Sequence, residues 1–270
     1  MNFAPAPLYS RPINTLEAPL RQAVKKGAAA AGGEVRVFFR ADDIGVPSKN
    51  FSTMLKLFQQ YLVPLGLAVV PTWLTALRWH SLCAEIDTEK AELFCWHQHG
   101  WTHKNHETRG KKQEFGDSRP ADSIAHDLLR GRNRLEQLLG AAFSPLFTPP
   151  WNRCGATALE LLATSGYTAL SRSSGAHPLP PTGFADIQIN VDLHTRREAD
   201  PQVSARQLFA ELEIALASGH AGIMLHHQRM NRHAFDLLEC LLHILTHTLE
   251  VRLIKMVDMV HSCRKDIYDC

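Results

Sequence analysis

The chain has 270 residues, of which 45% are apolar and 21% charged, and its formal net charge is +2. That balance excludes a disordered tail, a collagen-like repeat and a polycationic binder of nucleic acid or anionic membrane, and it leaves a folded protein of single-barrel size. Six cysteines without a C-x-x-C pair argue against a zinc ribbon or a disulfide framework, whereas fifteen histidines exceed what packing needs and favour metal or proton chemistry.

Residues 1–10 show no basic stretch leading into an apolar core, and no run reaches the ~20 apolar residues of a membrane span. A cytoplasmic protein with reduced thiols is therefore expected. Residues 1–15 read as an irregular arm, and 16–31 as an Ala-, Leu- and Lys-rich helix stopped by Gly32-Gly33. Val35, Val37 and Phe39 alternate as a strand ending at Arg40-Ala41-Asp42-Asp43-Ile44-Gly45. Met54, Leu55, Phe58 and Leu62 give a helix over 51–62, closed by Pro64. A buried strand at 67–71 and a helix at 73–84 follow. The apolar run 91–96 reads as a third strand delivering His97-Gln98-His99-Gly100-Trp101-Thr102-His103.

After a polar loop at 104–119, Pro120 opens an amphipathic helix with Ile124, Leu128, Leu135, Leu138 and Leu139 on one face. Residues 145–148 form a fourth strand ending at Pro149-Pro150-Trp151-Asn152-Arg153. A helix at 156–165, a strand at 167–171 and a Gly/Pro-rich loop at 173–183 lead to an alternating strand over 186–193. Then come a helix at 203–217, a strand at 222–225 ending at His226-His227, a helix at 231–249, a strand at 251–254 and a closing helix at 256–264.

Near-continuous apolar strands separated by amphipathic helices imply an α/β fold with a parallel sheet. Seven or eight such units suggest a distorted (β/α) barrel of mostly parallel strands in a single domain, with an open doubly wound sheet as the alternative. The division is an N-terminal arm and helix over 1–33 and a catalytic barrel over 34–270.

Asp42-Asp43, His99 with His103, Trp151, Asp192 and His226 all fall at carboxyl ends of strands, the rim where such barrels keep their sites. His99 and His103 are four apart, so a helical turn would set both imidazoles on one face. With Asp43 they can supply three ligands to a divalent ion and leave a position open. Such an ion acidifies water and polarises a carbonyl. Asp42 then serves as general base and His226 as the acid, with Asp192 hydrogen-bonded to the far nitrogen of His226. The reaction class is metal-assisted hydrolysis of an amide or ester. Zinc leads among the metals, and cobalt, iron or manganese suit the same donors.

These motifs, together with Thr148-Pro149-Pro150-Trp151 and Ile223-Met224-Leu225-His226, resemble those of the polysaccharide deacetylases, carbohydrate esterase family four, over about residues 34–260. The resemblance implies removal of an acetyl group from an N-acetylated sugar or surface-polysaccharide precursor. It also implies Asp42 as base, Asp43, His99 and His103 as ligands, His226 as acid, and a Trp151 backbone N–H that helps hold the oxyanion. The family usually places an Arg where Thr148 stands, contacting the base; Arg40 and Arg153 are the candidate substitutes. The partner expected is an N-acetylated carbohydrate, with no nucleic acid and no membrane span.

Other readings stay open. His97 and His99 form an H-x-H pair that an amidohydrolase-type enzyme would use. A barrel that keeps its metal but has lost turnover would act as a sugar-binding or regulatory protein. His227 rivals His226, His194 rivals Asp192, and Trp101 either lines a sugar site or packs. Glu239, His243 and His247 share the four-residue spacing but read as a solvated helix face, and Arg109-Gly110-Lys111-Lys112 as an exposed loop able to meet a phosphate.

Overall fold

The computed structural model describes residues 4–10, 12 and 15–260. Nine strands form one sheet in which every pairing is parallel: β1 (Val35–Ile44), β2 (Leu65–Val69), β3 (Phe94–His99), β4 (Phe143–Thr148), β5 (Ala169–Ser173), β6 (Ala185–Ile189), β7 (Val191–Asp192), β8 (His220–Leu225) and β9 (Val251–Leu253). The order is β6-β5-β4-β3-β2-β1-β8-β7, with β9 on β1. The two ends of that path, β6 and β7, are successive pieces of one extended segment split at Asn190. The sheet therefore curls until it nearly closes, giving the distorted (β/α) barrel and excluding the open doubly wound alternative.

Asn190 bridges the seam. Its backbone N–H donates to the Gly222 carbonyl at 3.0 Å, and its side-chain oxygen accepts the Gly222 N–H at 2.9 Å. Gly222 has to be a glycine, because a Cβ there would lie 2.6 Å from the Phe38 ring and collide with the Gln188 carbonyl.

The helices α1 (Glu17–Ala30), α2 (Lys49–Gln60), α3 (Ala76–Cys83), α4 (Ala121–Leu139), α5 (Ala156–Thr164), α6 (Pro201–Ala217) and α7 (Arg232–Thr246) cover the barrel. Their starts are set locally: Ser48 caps α2 by accepting the Phe51 N–H, Asp200 accepts from Gln202 and Val203 at α6, and Asn231 accepts from Ala234 at α7. Gly27 lets α1 approach α6 closely; a Cβ would sit 2.6 Å from the Glu213 carbonyl oxygen. Ahead of α1, Leu8 and Tyr9 are buried in the same core as Leu20 and Val24. The Tyr9 hydroxyl donates to the Leu193 carbonyl at 2.6 Å, and the Asn231 amide donates to the Tyr9 carbonyl at 2.9 Å.

Along β1, Val35, Val37, Phe39 and Ala41 pack in the main core against the helices, and Phe38 belongs to a second cluster with Cys95, Leu146, Ile187 and Met224. Strand alternation therefore sends Phe38, Arg40 and Asp42 inwards. On β3 the same alternation aligns Cys95, His97 and His99.

Several elements differ from the sequence expectation. β1 continues through the charged stretch Arg40–Asp43, because these charges are paired inside the barrel rather than left in water. β3 begins three residues later than its apolar run suggests, since 88–93 is wound as a 3-10 turn. The sixth strand is two pieces. The closing helix expected over 256–264 runs into residues outside those described, as do parts of the N-terminal arm.

Candidate metal centre and active site

Side chains of neighbouring strand residues point to opposite faces, yet Asp42 and Asp43 both line the same pocket. The register of β1 against β2 slips between Ala41 and Ile44, and Asp43 adopts left-handed backbone with φ 62°. That bulge re-aims Asp43 to the rim while Asp42 stays inside. After β3, Gly100 (φ 62°) and His103 (φ 58°) are also left-handed. No helical turn forms there: this reversal, rather than H-x-x-x-H spacing on a helix, brings the His99 and His103 rings to 5.2 Å.

Asp43, His99 and His103 offer ligand atoms that all lie within 4.8 Å of one another. Asp43 Oδ1 is 3.1 Å from His103 Nε2 and 3.4 Å from His99 Nε2, yet this buried oxygen has no hydrogen-bond partner. His99 Nδ1 faces the Thr148 carbonyl at 3.0 Å. A carbonyl only accepts, so Nδ1 carries the hydrogen, and in the neutral ring Nε2 turns a lone pair towards the Asp43 oxygen. Lone pair against lone pair is repulsive unless a positive charge lies between them. The donor set and its orientation therefore fit a divalent cation, with the Thr148 carbonyl fixing the tautomer of one ligand.

The loop bearing His103 is pinned by a carboxylate that the sequence reading left in an exposed loop. Glu114 is buried and accepts from the N–H groups of Trp101 (3.2 Å) and Thr102 (2.6 Å) and from the Thr102 hydroxyl (2.8 Å). Gly100 is packed beneath it, where a Cβ would collide with the carboxylate and lie 2.6 Å from Pro150. Nothing in the residue types of the polar stretch 104–119 marks Glu114 as different from its exposed charged members such as Lys111 and Lys112, which is why composition could not find it.

Asp42 is held by Arg40. The guanidinium donates Nε–H to Oδ1 at 2.8 Å and Nη2–H to Oδ2 at 2.9 Å, a buried two-point fork at the floor of the pocket. Arg40 in turn donates to the Ser171 carbonyl (3.0 Å) and hydroxyl (2.8 Å) and to Asn152 Oδ1 (2.6 Å). Burial pushes the Asp42 pKa up, but the Arg40 guanidinium, with His99 and His226, outweighs it and holds the carboxyl below its usual range. Of the two candidates for the absent Arg at Thr148, Arg40 is the one that reaches Asp42; Arg153 points to the Lys112 carbonyl at 3.4 Å.

His97 lies apart from the ligand set. Its Nδ1 faces the Cys95 carbonyl at 3.3 Å and its Nε2 the Thr148 hydroxyl at 3.0 Å. Burial drops its pKa to about 3, so it stays a neutral hydrogen-bonding group. The H-x-H pair of an amidohydrolase-type centre is thus not assembled. Metal analysis of purified variants is expected to find the ion retained in His97→Ala and lost in His99→Ala; retention in both would remove His99 from the ligand set.

At the end of β8, the strand beside β1, His226 lines the pocket with Asp192, and its Nδ1 is buried without a partner. The hydrogen bond expected from Asp192 is not formed. Asp192 instead caps its own loop: Oδ1 accepts from the N–H groups of His194 and Thr195, both at 2.9 Å, and Oδ2 from the Thr195 hydroxyl. His194, the rival for that position, accepts the backbone N–H of His226 at 3.0 Å on Nδ1, and burial drops its pKa to about 3. His227 is buried against Phe51, ring centroids 5.7 Å apart, with its pKa lowered by burial to about 4. It is His226 that lines the pocket.

Trp151 and Asn152 follow β4 in left-handed backbone (φ 58° and 59°). The Trp151 ring stands 4.6 Å from His103 and Trp73 stands 5.6 Å from it, so two indoles flank that imidazole. Trp101 lies elsewhere, packed in a side cluster beneath the Arg130 guanidinium at 5.0 Å. The pocket encloses about 520 Å³. The spacing decoy on α7 assembles nothing, since His243 and His247 are exposed and Asp43, His99 and His103 are the metal-compatible cluster found among the described residues.

No family model matches the sequence, and no curated protein matches it. Solved structures do. A protein from Mycobacterium smegmatis assigned to the polysaccharide deacetylases superposes with TM-score 0.63 at 14% identity, over 87% of this chain and 92% of its own. A peptidoglycan N-acetylglucosamine deacetylase gives 0.54 at 12% identity, over 85% and 89%. A family 4 acetyl xylan esterase from Clostridium thermocellum, solved with a cobalt ion, gives 0.52 at 11% identity, over 85% and 92%. This chain has the barrel fold of the polysaccharide deacetylases.

Proposed function

We propose that the chain is a divergent polysaccharide deacetylase of carbohydrate esterase family four, a metal-dependent hydrolase that removes an acetyl or other N-acyl group from a sugar or a surface-polysaccharide precursor. The observation that carries this reading is the convergence of Asp43, His99 and His103 within 4.8 Å beside a buried Asp42 locked to Arg40. Structures with the same fold include a deacetylase of peptidoglycan N-acetylglucosamine and an esterase with cobalt, which supports the substrate class and the need for a divalent ion.

A cation held by the three ligands, zinc being the one we favour, supplies Lewis-acid polarisation of the acyl carbonyl and activation of water. Asp42 is the base: Arg40 keeps it ionised at neutral pH, and each oxygen retains a lone pair beyond the one Arg40 occupies. His226, which lines the same pocket from the end of β8, is the acid that returns a proton to the departing amine. Asp192 acts by shaping the loop behind His226. Trp151 lines the pocket in left-handed backbone, and on the likeness to the deacetylases its backbone N–H is the oxyanion donor we assign.

Arg40 also weighs against a barrel that has lost turnover, because the base keeps its guanidinium although Thr148 stands where the family has Arg. The described cysteines are free, and among the described residues no helix is long and apolar enough to cross a membrane. We place the enzyme in the cytoplasm on the free thiols.

The test is metal analysis of the purified chain joined to a screen for acetate release from N-acetylated mono- and oligosaccharides and nucleotide sugars. Stoichiometric metal with acetate release is expected. A metal-loaded chain that frees no acyl group from any of them overturns the hydrolase reading.

A further inference from the structure

We propose that the acylated sugar enters this pocket as a phosphate-bearing compound, an inference that rests on the hydrolase reading above. The chain as a whole carries only +2, yet the pocket wall gathers Lys112, Arg153, Arg196, Arg197 and Arg229 against three carboxylates. Those carboxylates already have roles: Asp42 is paired with Arg40, Asp43 is turned to the candidate ion position with two imidazoles, and Asp192 caps its own loop. Of the cations, Arg196 is spoken for by Glu211 at 2.8 and 2.9 Å. Arg153 and Lys112 meet no carboxylate among the described residues. Arg153 Nη1 donates to the Lys112 carbonyl at 3.4 Å, which sets these two residues side by side on one wall.

That wall leads away from the catalytic groups. A second hollow of about 420 Å³ shares Trp151, Asn152, Arg153 and Ser173 with the first and continues to Lys111 and His177. Arg153 thus stands at the junction, with a lysine on either side of the passage. A substrate whose acyl group lies near Asp42 has room for its remainder along this basic channel.

Like charges gathered around a cavity repel one another, and an anion relieves the repulsion. A neutral glycan does not. A guanidinium fork beside two ammonium groups suits the several oxygens and double charge of a phosphate better than a single carboxylate. The exposed basic segment 109–112 acquires a role that its composition alone could not assign.

The experiment measures binding of N-acetylglucosamine 1-phosphate, N-acetylglucosamine and N-acetylneuraminic acid to the full chain and to its Lys112→Ala/Arg153→Ala variant, with acetate release followed in parallel. Both proteins keep Asp43, His99 and His103, so any phosphate held by an ion there cancels from the comparison. The phosphate ester is expected to bind about tenfold more tightly than the neutral sugar, with an advantage that shrinks as salt is added and largely disappears in the variant. Equal affinity for the two sugars, an advantage that survives in the variant, or tighter binding of the carboxylate sugar overturns the proposal. Acetate release without preference for the phosphate ester also overturns it while leaving the hydrolase reading intact. Preferential binding with no acetate release from any probe upholds the anion site and leaves the hydrolase reading to the wider acetate-release screen.

Discussion

Asp42→Asn is expected to leave the metal content of the protein unchanged and to lower kcat on the true substrate by roughly 10²–10⁴-fold, the range a positioned general base contributes. The amide is nearly isosteric with the carboxylate, and Asp43, His99 and His103 are untouched, so the loss falls on the chemical step and not on the ion. Single-turnover measurement with parallel metal analysis separates the two. A fully active Asp42→Asn protein would falsify the assignment of the base. Because Arg40 holds the Asp42 pKa below the ordinary carboxylate range, activity in the wild-type chain should persist into mildly acidic solution before protonation of this group removes it.

Arg40→Met has the second large effect, and it acts on stability first. Arg40 is among the largest fully buried side chains, and its removal strands an ionised carboxylate in a closed interior. Breaking a buried pair from one side costs about 3–5 kcal/mol. The sign of the pH dependence is the sharper readout. In the wild type the folded pKa of Asp42 lies below its unfolded value, so the pair stabilises the fold above the unfolded pKa and that stability is lost as pH falls through the folded one. Without Arg40, burial is the dominant influence left, and the folded pKa rises above the unfolded value. Asp42 then weakens the fold as pH climbs, and the variant should be relatively most stable in acid. Denaturant unfolding across pH 3 to 8 measures this in the ordinary ~1–3 kcal/mol per molar range of slopes. The double variant Arg40→Met/Asp42→Asn should recover much of the loss, since neither charge of the pair remains. If Arg40→Met unfolds no more readily than wild type at neutral pH, the pair is not what holds this part of the barrel.

Much of this was legible in the chain itself, for definable reasons. Apolar periodicity located the strands and helices because each buries one face, and strand ends located the rim because barrels present their loops there. The candidate ligands Asp43, His99 and His103 stood out through their side-chain chemistry, and the structure brings their ligand atoms within 4.8 Å of one another. Arg40 could be named only as one of two candidates, because the choice between it and Arg153 depends on which side of β1 a buried guanidinium faces. The re-aiming of Asp43 was hidden altogether: a bulge at Ala41/Ile44 and a left-handed Asp leave no trace in hydrophobic pattern. Glu114 was hidden by its loop, and the capping role of Asp192 by the turn that follows it. The readings that missed concern backbone geometry or long-range pairing, whereas those that held concern composition and period.

Of the five non-glycine residues with left-handed backbone among the described residues, all but Leu62 line the candidate site: Asp43, His103, Trp151 and Asn152. Each such residue forfeits roughly 1–2 kcal/mol compared with a relaxed conformation. A glycine at position 152 would ease that burden and harden the protein against heat, but it would also sever the 2.6 Å tie from Asn152 to Arg40 and so slacken the grip on the base. Selection for thermal endurance and selection for turnover therefore pull this loop in opposite directions, and heat-adapted relatives should show their compromise here before anywhere in the barrel wall.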